Sequence, residues 1–272
     1  MIATEHVPCR VVGIDLAGVR SRTTGWAEAS VEADGRAVVV DLGLLPRSPS
    51  PLLGEKQLRM RLAHLAAGDI VVIDAPLTLP PALRDRGREL DQPDGSAWVR
   101  RMWAEGWHPV TARECEFALA ASGGPRPGAT MRLGMIAARA IVLARELRAR
   151  GVVVLETYPR AVRHWMREHT DATGWGGGYA GLAGALRESG LLVVGERFDL
   201  DDAAPDALDA LLCVIVGAAY LRGSTVPPPV DLDEIHDGWI RVPTAGGLDP
   251  WKAVSAIRPG AVEGGMRSAD VC

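Results

Sequence analysis

Residues 11 to 15 read VVGID, and the same shape returns as IVVID ending at Asp74 and as VVVLE ending at Glu156. Each is a short aliphatic run without charge until its last position, which is how a strand buried on both faces reads. A helical stretch, Met131 to Arg150 closed by Gly151, separates the second run from the third. Strand, helix, strand crossovers lay their strands side by side in one direction, so the three acids are expected together at one carboxyl end, where open α/β sheets keep their sites. Alternation along a strand also predicts a shared face. Val11, Gly13 and Asp15 point one way, as do Ile70, Val72 and Asp74, and Val152, Val154 and Glu156.

Outward from these runs, Arg10 to Leu16, Thr23 to Val31 and Arg36 to Leu44 read as a three-stranded meander, with Asp34-Gly35 as the hairpin signal. Glu55 to Ala67 has helical apolar spacing and stops at Gly68, and Ile70 to Ile73 is a buried strand that must turn at Asp74-Ala75-Pro76. Residues 78 to 130 are irregular and read as an inserted lid. Pro159 opens a helix, Ala180 to Glu188 forms another, and Leu191 to Val194 and Gly238 to Pro243 read as further short strands. The expected organisation is one α/β domain over residues 1–225, with the insertion at about 78–130. A C-terminal extension, 226–272, is expected to pack partly on it with a loosely ordered end.

The segment PDALDALLCVIVGAAYL, residues 205 to 221, is a helix headed for the core that carries two carboxylates at its entrance. Pro205 suits the first helical position, and Asp206 and Asp209 lie one turn apart on one face, continued by Cys213. The helix dipole accounts for Asp206, but Asp209 lies past the first turn, among Leu208, Leu211 and Leu212, where dipole stabilisation fades. A partly buried carboxylate needs a partner, and no Lys or Arg lies nearby in sequence. Four or five carboxylates gathered together repel one another unless a cation binds between them. Oxygen-only ligands select a hard ion, Mg²⁺ or Mn²⁺. The chemistry this implies is two-metal phosphodiester hydrolysis, with a nucleic acid as the substrate.

Composition agrees with a folded globular protein and excludes other classes. The 272 residues are 47% hydrophobic and 24% charged with a formal net charge of −4, which fits a globular domain without a global basic footprint. No apolar run is long enough to span a bilayer, so no membrane role is expected. The cysteines, at 9, 115, 213 and 272, form no C-x-x-C pair, which argues against a disulfide framework or a thiolate zinc site and suits a cytoplasmic location. Trp98, Trp103 and Trp107, interleaved with Arg100 and Arg101, read as an amphipathic helix or as a base-stacking surface. The arginines at 132, 139, 145, 148 and 150 read as a solvated face, ahead of the alternative that they line a substrate groove.

Six motifs occur in order: GIDLAG (13–18), IDAPLTLP (73–80), RECEFALAASG (113–123), LETYPRA (155–161), DALDALLC (206–213) and DGWIRVP (237–243). With them the chain resembles the DUF429 family of predicted nucleases. The resemblance implies a ribonuclease H-like fold: a five-stranded mixed sheet in the order 3-2-1-4-5 flanked by helices. It also implies that Asp15, Asp74, Glu156 and one or both of Asp206 and Asp209 form an acidic metal site. Arg113 and Glu116 fall in a further shared motif and are candidate substrate contacts, with Arg113 either holding a phosphate or simply pairing with an acid. In that scheme Asp15 bridges two ions, Asp74 and Glu156 hold one each or position the water, and Asp209 with Asp206 closes the site. A second reading keeps the fold and makes the protein a non-catalytic binding or regulatory module with a residual ion site. A third takes GIDLAG as the first phosphate loop of an actin-like ATP-binding phosphotransferase, although Pro76 stands where a second glycine loop is needed.

Overall fold

The computed structural model describes residues 9–16, 23–32, 35–45, 51–80, 106, 112–121, 125, 134–169, 172–228 and 238–244. Most of the expected insertion, including the tryptophans at 98, 103 and 107, and the chain end beyond residue 244 lie outside them. The described elements run β1 (Cys9–Asp15), β2 (Thr24–Val31), β3 (Ala37–Leu45), α1 (Pro51–Leu62), β4 (Ile70–Asp74), α2 (Glu114–Ala121), α3 (Gly134–Arg148), β5 (Val153–Thr157), α4 (Pro159–His169), α5 (Gly178–Glu188), β6 (Leu192–Val194), α6 (Pro205–Leu221) and β7 (Ile240–Arg241).

The strands form one sheet in the order β6-β3-β2-β1-β4-β5-β7. β1 to β3 are the antiparallel meander, and β4 and β5 add in parallel through crossovers. The 3-2-1-4-5 order is therefore present, and the fold is ribonuclease H-like. It is extended at both edges. β6 pairs with β3 and β7 with β5, both in parallel. At three and two residues these edge strands are too short to offer a long unpaired ladder to another chain.

Two apolar layers flank the sheet. On one side Val12, Ile14, Val71, Ile73 and Val154 meet Leu58 and Leu62 of α1 and Leu143 and Leu147 of α3. On the other Val11, Ile70, Val72 and Leu155 meet α6, with Val162 and Met166 of α4 and Leu182 and Leu186 of α5 in the same core. α6 is apolar almost all round because it is enclosed, with Ala207, Leu208 and everything from Ala210 to Ala219 buried. It lies unusually close to the strands. A Cβ on Gly13 would sit 2.0 Å from the carbonyl oxygen of Ala210, and one on Gly25 only 1.8 Å from that of Asp206. Only glycine permits such an approach, which brings the acidic entrance of α6 down onto the ends of β1 and β2.

The arginines of and beyond α3 are not simply solvated. Arg139 pairs with Glu55 at 3.0 Å, and Arg150 donates to the carbonyls of Leu62, Ala63 and Leu65 at the end of α1. Cys115 and Cys213 are buried and not disulfide-bonded. Among the described residues no helix is long and apolar enough to cross a membrane.

Candidate metal and active site

β1 and β4 run in parallel register with Asp15 opposite Asp74. Both strands present Val11, Gly13, Ile70 and Val72 toward α6, so alternation turns Asp15 and Asp74 to that side as well. They stand abreast under the first turns of α6. No hydrogen-bond donor or cation among the described residues pairs with either carboxylate.

Their electrostatics follow from this placement. Burial, then the charges of Asp209 and Asp206, push the Asp15 carboxyl up to about 7. Asp74 is raised well above the ordinary range by burial, then by Asp15, Asp209 and Glu156. Asp209 is raised by burial, while the Tyr179 hydroxyl, donating to its Oδ2 at 2.7 Å, and the Arg163 charge partly offset this. Asp206 accepts a hydrogen bond from the Thr23 hydroxyl. The Cys213 thiol, one turn further along α6, is raised by burial and then by Asp74, Asp15 and Asp209, so it stays protonated. These groups would all gain from a cation among them.

Glu156 departs from the expected shared face. It stands opposite Ile73 rather than Asp74, and Ile73 and Val154 belong to the layer facing α1 and α3. The crossover through α3 sets the register of β5 one residue away from the one that would align all three acids. Glu156 reaches the same end of the sheet but has its own cation. Arg113 makes a two-pronged contact with it, at 2.7 and 2.5 Å, and also pairs with Glu116 at 3.0 Å. All three side chains are at most 4% exposed. Glu156 also accepts the Leu77 backbone N–H at 2.9 Å and so holds the turn that leaves β4 directly after Asp74.

A cavity of about 190 Å³ is lined by Asp15, Asp74, Glu156, Arg113 and Glu116 among others. Five of the seven candidate residues thus share one concavity; Asp209 lines a separate one, and Asp209 and Asp206 reach Asp15 through their charges. Among the described residues no three carboxylate, thiol or imidazole side chains converge closely enough to enclose an ion by themselves.

Residues 13–234 match the model of a family described as "Protein of unknown function (DUF429)". The chain belongs to this family. No curated protein sequence matches this DUF429 chain. Among solved structures, the yeast mitochondrial Holliday junction resolvase Ydc2 matches with a TM-score of 0.38 and 11% identity, over 76% of this chain and 77% of that one.

Sequence reasoning missed two residues of the site. Tyr179 stands just before the helix expected over 180–188 and is given no role by it, yet its hydroxyl holds Asp209. Arg163, whose guanidinium lies 5.5 Å from the centroid of the Tyr179 ring, was not singled out either. A signal was present: Arg160, Arg163, His164 and Arg167 recur at helical spacing along α4.

Proposed function

We propose that this protein is a nuclease that hydrolyses phosphodiester bonds of nucleic acid with a divalent cation, Mg²⁺ or Mn²⁺. Asp15 and Asp74 hold the cation, with Asp209 and Asp206 beside them. The observation that carries this reading is the in-register pair Asp15 and Asp74, abreast, partly buried and without a cation from the described residues. Carboxylates so placed are held at a cost in repulsion and desolvation that a cation removes. The oxygen-only donor set suits a hard ion. Mg²⁺ commonly takes one or two protein carboxylates, completing its shell with waters and substrate phosphates, so a fully enclosing cage is not required.

A bound divalent ion would supply charge neutralisation at the phosphoryl oxygens and a more acidic water. The protein does the rest. Asp15 and Asp74 are fixed by adjacent strands. Tyr179 orients Asp209 and Thr23 orients Asp206, so both helix acids keep set directions. Glu156, neutralised by Arg113, acts as a positioning residue: it ties down the Leu77 amide and with it the turn after Asp74. Arg113 and Glu116 accordingly serve the framework of the site rather than the substrate.

The test is cleavage of labelled single- and double-stranded DNA and RNA in millimolar Mn²⁺ or Mg²⁺. The parent should cut at least one of the four, EDTA should stop it, and Asp74→Asn should lower the rate by at least about a hundredfold, a loss of roughly 2.7 kcal/mol in transition-state stabilisation. A parent that cuts none of them with either ion refutes the proposal. The pairing of Glu156 with Arg113 favours one second reading, a non-catalytic ribonuclease H-like binding module with a residual ion site. Heat stabilisation by Mn²⁺ without turnover would select it.

A further inference from the structure

α4 is strongly two-faced. Ala161, Val162 and Met166 enter the core, while Arg160, Arg163, His164 and Arg167 line a cavity of about 460 Å³ together with Tyr179 and Asp209. That volume lies in the range of small-ligand sites, ~300–1,000 Å³. Its cations are organised. Arg163 donates to the carbonyls of Trp175 and Gly178 at 3.2 and 3.3 Å and lies over the Tyr179 ring. Arg167 donates to the His164 Nδ1 at 3.2 Å and pairs with Glu168 at 3.0 Å. No carboxylate among the described residues pairs with Arg160. Three guanidinium groups thus face one concavity whose only lining carboxylate among the described residues is Asp209.

Asp209 also belongs to the acidic cluster, since its charge raises both Asp15 and Asp74. The basic cavity therefore adjoins the acids. An anionic strand is repelled by a bare carboxylate cluster, so its attraction to this region must come from cations next door. Guanidinium groups suit that task because their forked donors match phosphate oxygens. We propose that the cavity along α4 binds a phosphate of the nucleic-acid strand, adjacent to the one that meets the acids. The presence of a strand rests on the nuclease reading above; the phosphate site does not depend on cleavage.

The experiment is fluorescence anisotropy with a labelled single-stranded oligonucleotide of about a dozen residues, in EDTA so that nothing is cut. Arg160→Glu with Arg167→Glu should weaken binding at least about tenfold and flatten the dependence of log affinity on log salt by roughly 0.7 per arginine. Arg160→Lys with Arg167→Lys should keep most of the affinity. Both side chains are exposed, so an unchanged melting temperature certifies the fold. Inorganic phosphate should compete weakly, and a mononucleotide less well than the strand.

Equal affinity and equal salt slope in parent and charge-reversed variant overturn the assignment. So does a mononucleotide that binds as tightly as the strand. A parent that binds through these arginines but cuts nothing sinks the nuclease reading and leaves the phosphate site standing. A parent that cuts, beside a charge-reversed variant that binds unchanged, does the reverse.

Discussion

Replacing Asp15 by Asn should make the metal-free protein more stable at neutral pH, although it removes a residue from the proposed site. The Asp15 carboxyl rises from an ordinary value of 3.8 to about 7 in the folded chain. The folded state thus holds a proton that the unfolded state releases, and stability falls as pH rises across that interval. Below about pH 3.8 both states are protonated and the cost is absent; above about 7 it is complete. At ~1.4 kcal/mol per pH unit the interval corresponds to about 4 kcal/mol. Relaxation and water entry reduce this, and we expect on the order of 2 kcal/mol, or about 4–8 °C in melting temperature for a domain of this size. The assay is thermal melting of parent and Asp15→Asn in EDTA at pH 4, 6 and 8. The variant should melt higher at pH 8, with the gap shrinking at pH 6 and nearly closed at pH 4. Millimolar Mn²⁺ should raise the parent at pH 8 and leave the variant where it was. A variant that melts lower than the parent in EDTA at pH 8, or a gap independent of pH, would refute the claim that Asp15 sits in a repulsive, desolvated cluster.

Two further outcomes follow from the geometry. Arg113→Met leaves Glu116 and Glu156 buried without their cation and should cost about 3–5 kcal/mol at pH 8 by denaturant melting. Stability should recover as pH falls, because protonation relieves the two acids; an effect that does not change with pH would mean that the loss is one of packing alone. Gly25→Ala places a methyl group against the Asp206 carbonyl and should cost about 1–3 kcal/mol. By lifting the entrance of α6 it should also reduce the Mn²⁺-induced rise in melting temperature, whereas an unchanged rise would show that the fit of α6 on β2 does not set the ion site.

Much of this molecule could be read from local pattern. VVGID, IVVID and VVVLE are strands because their aliphatic runs have no polar side chain to satisfy until the terminal acid. The helix at residues 205–221 begins at its proline and is enclosed, as its apolar residues predicted. The crossovers required β4 and β5 to run parallel to β1, and that rule brought the carboxyl ends together. Other features needed the assembled chain. A one-residue register difference between β4 and β5 turns Glu156 to the opposite side from Asp15 and Asp74, and no feature of VVVLE encodes register. Arg113 lies 43 residues before Glu156, so their pairing is a contact between distant segments.

The chain's own residue order therefore determined the strands, the parallel crossovers and the identity of the acids, because these follow from local sterics, alternation and the handedness of connections. Tertiary structure alone decided which acids stand without a cation among the described residues and which acquire one. It also set the arginines of α4 beside Asp209, because electrostatic partners are chosen by proximity in space after the helices have packed.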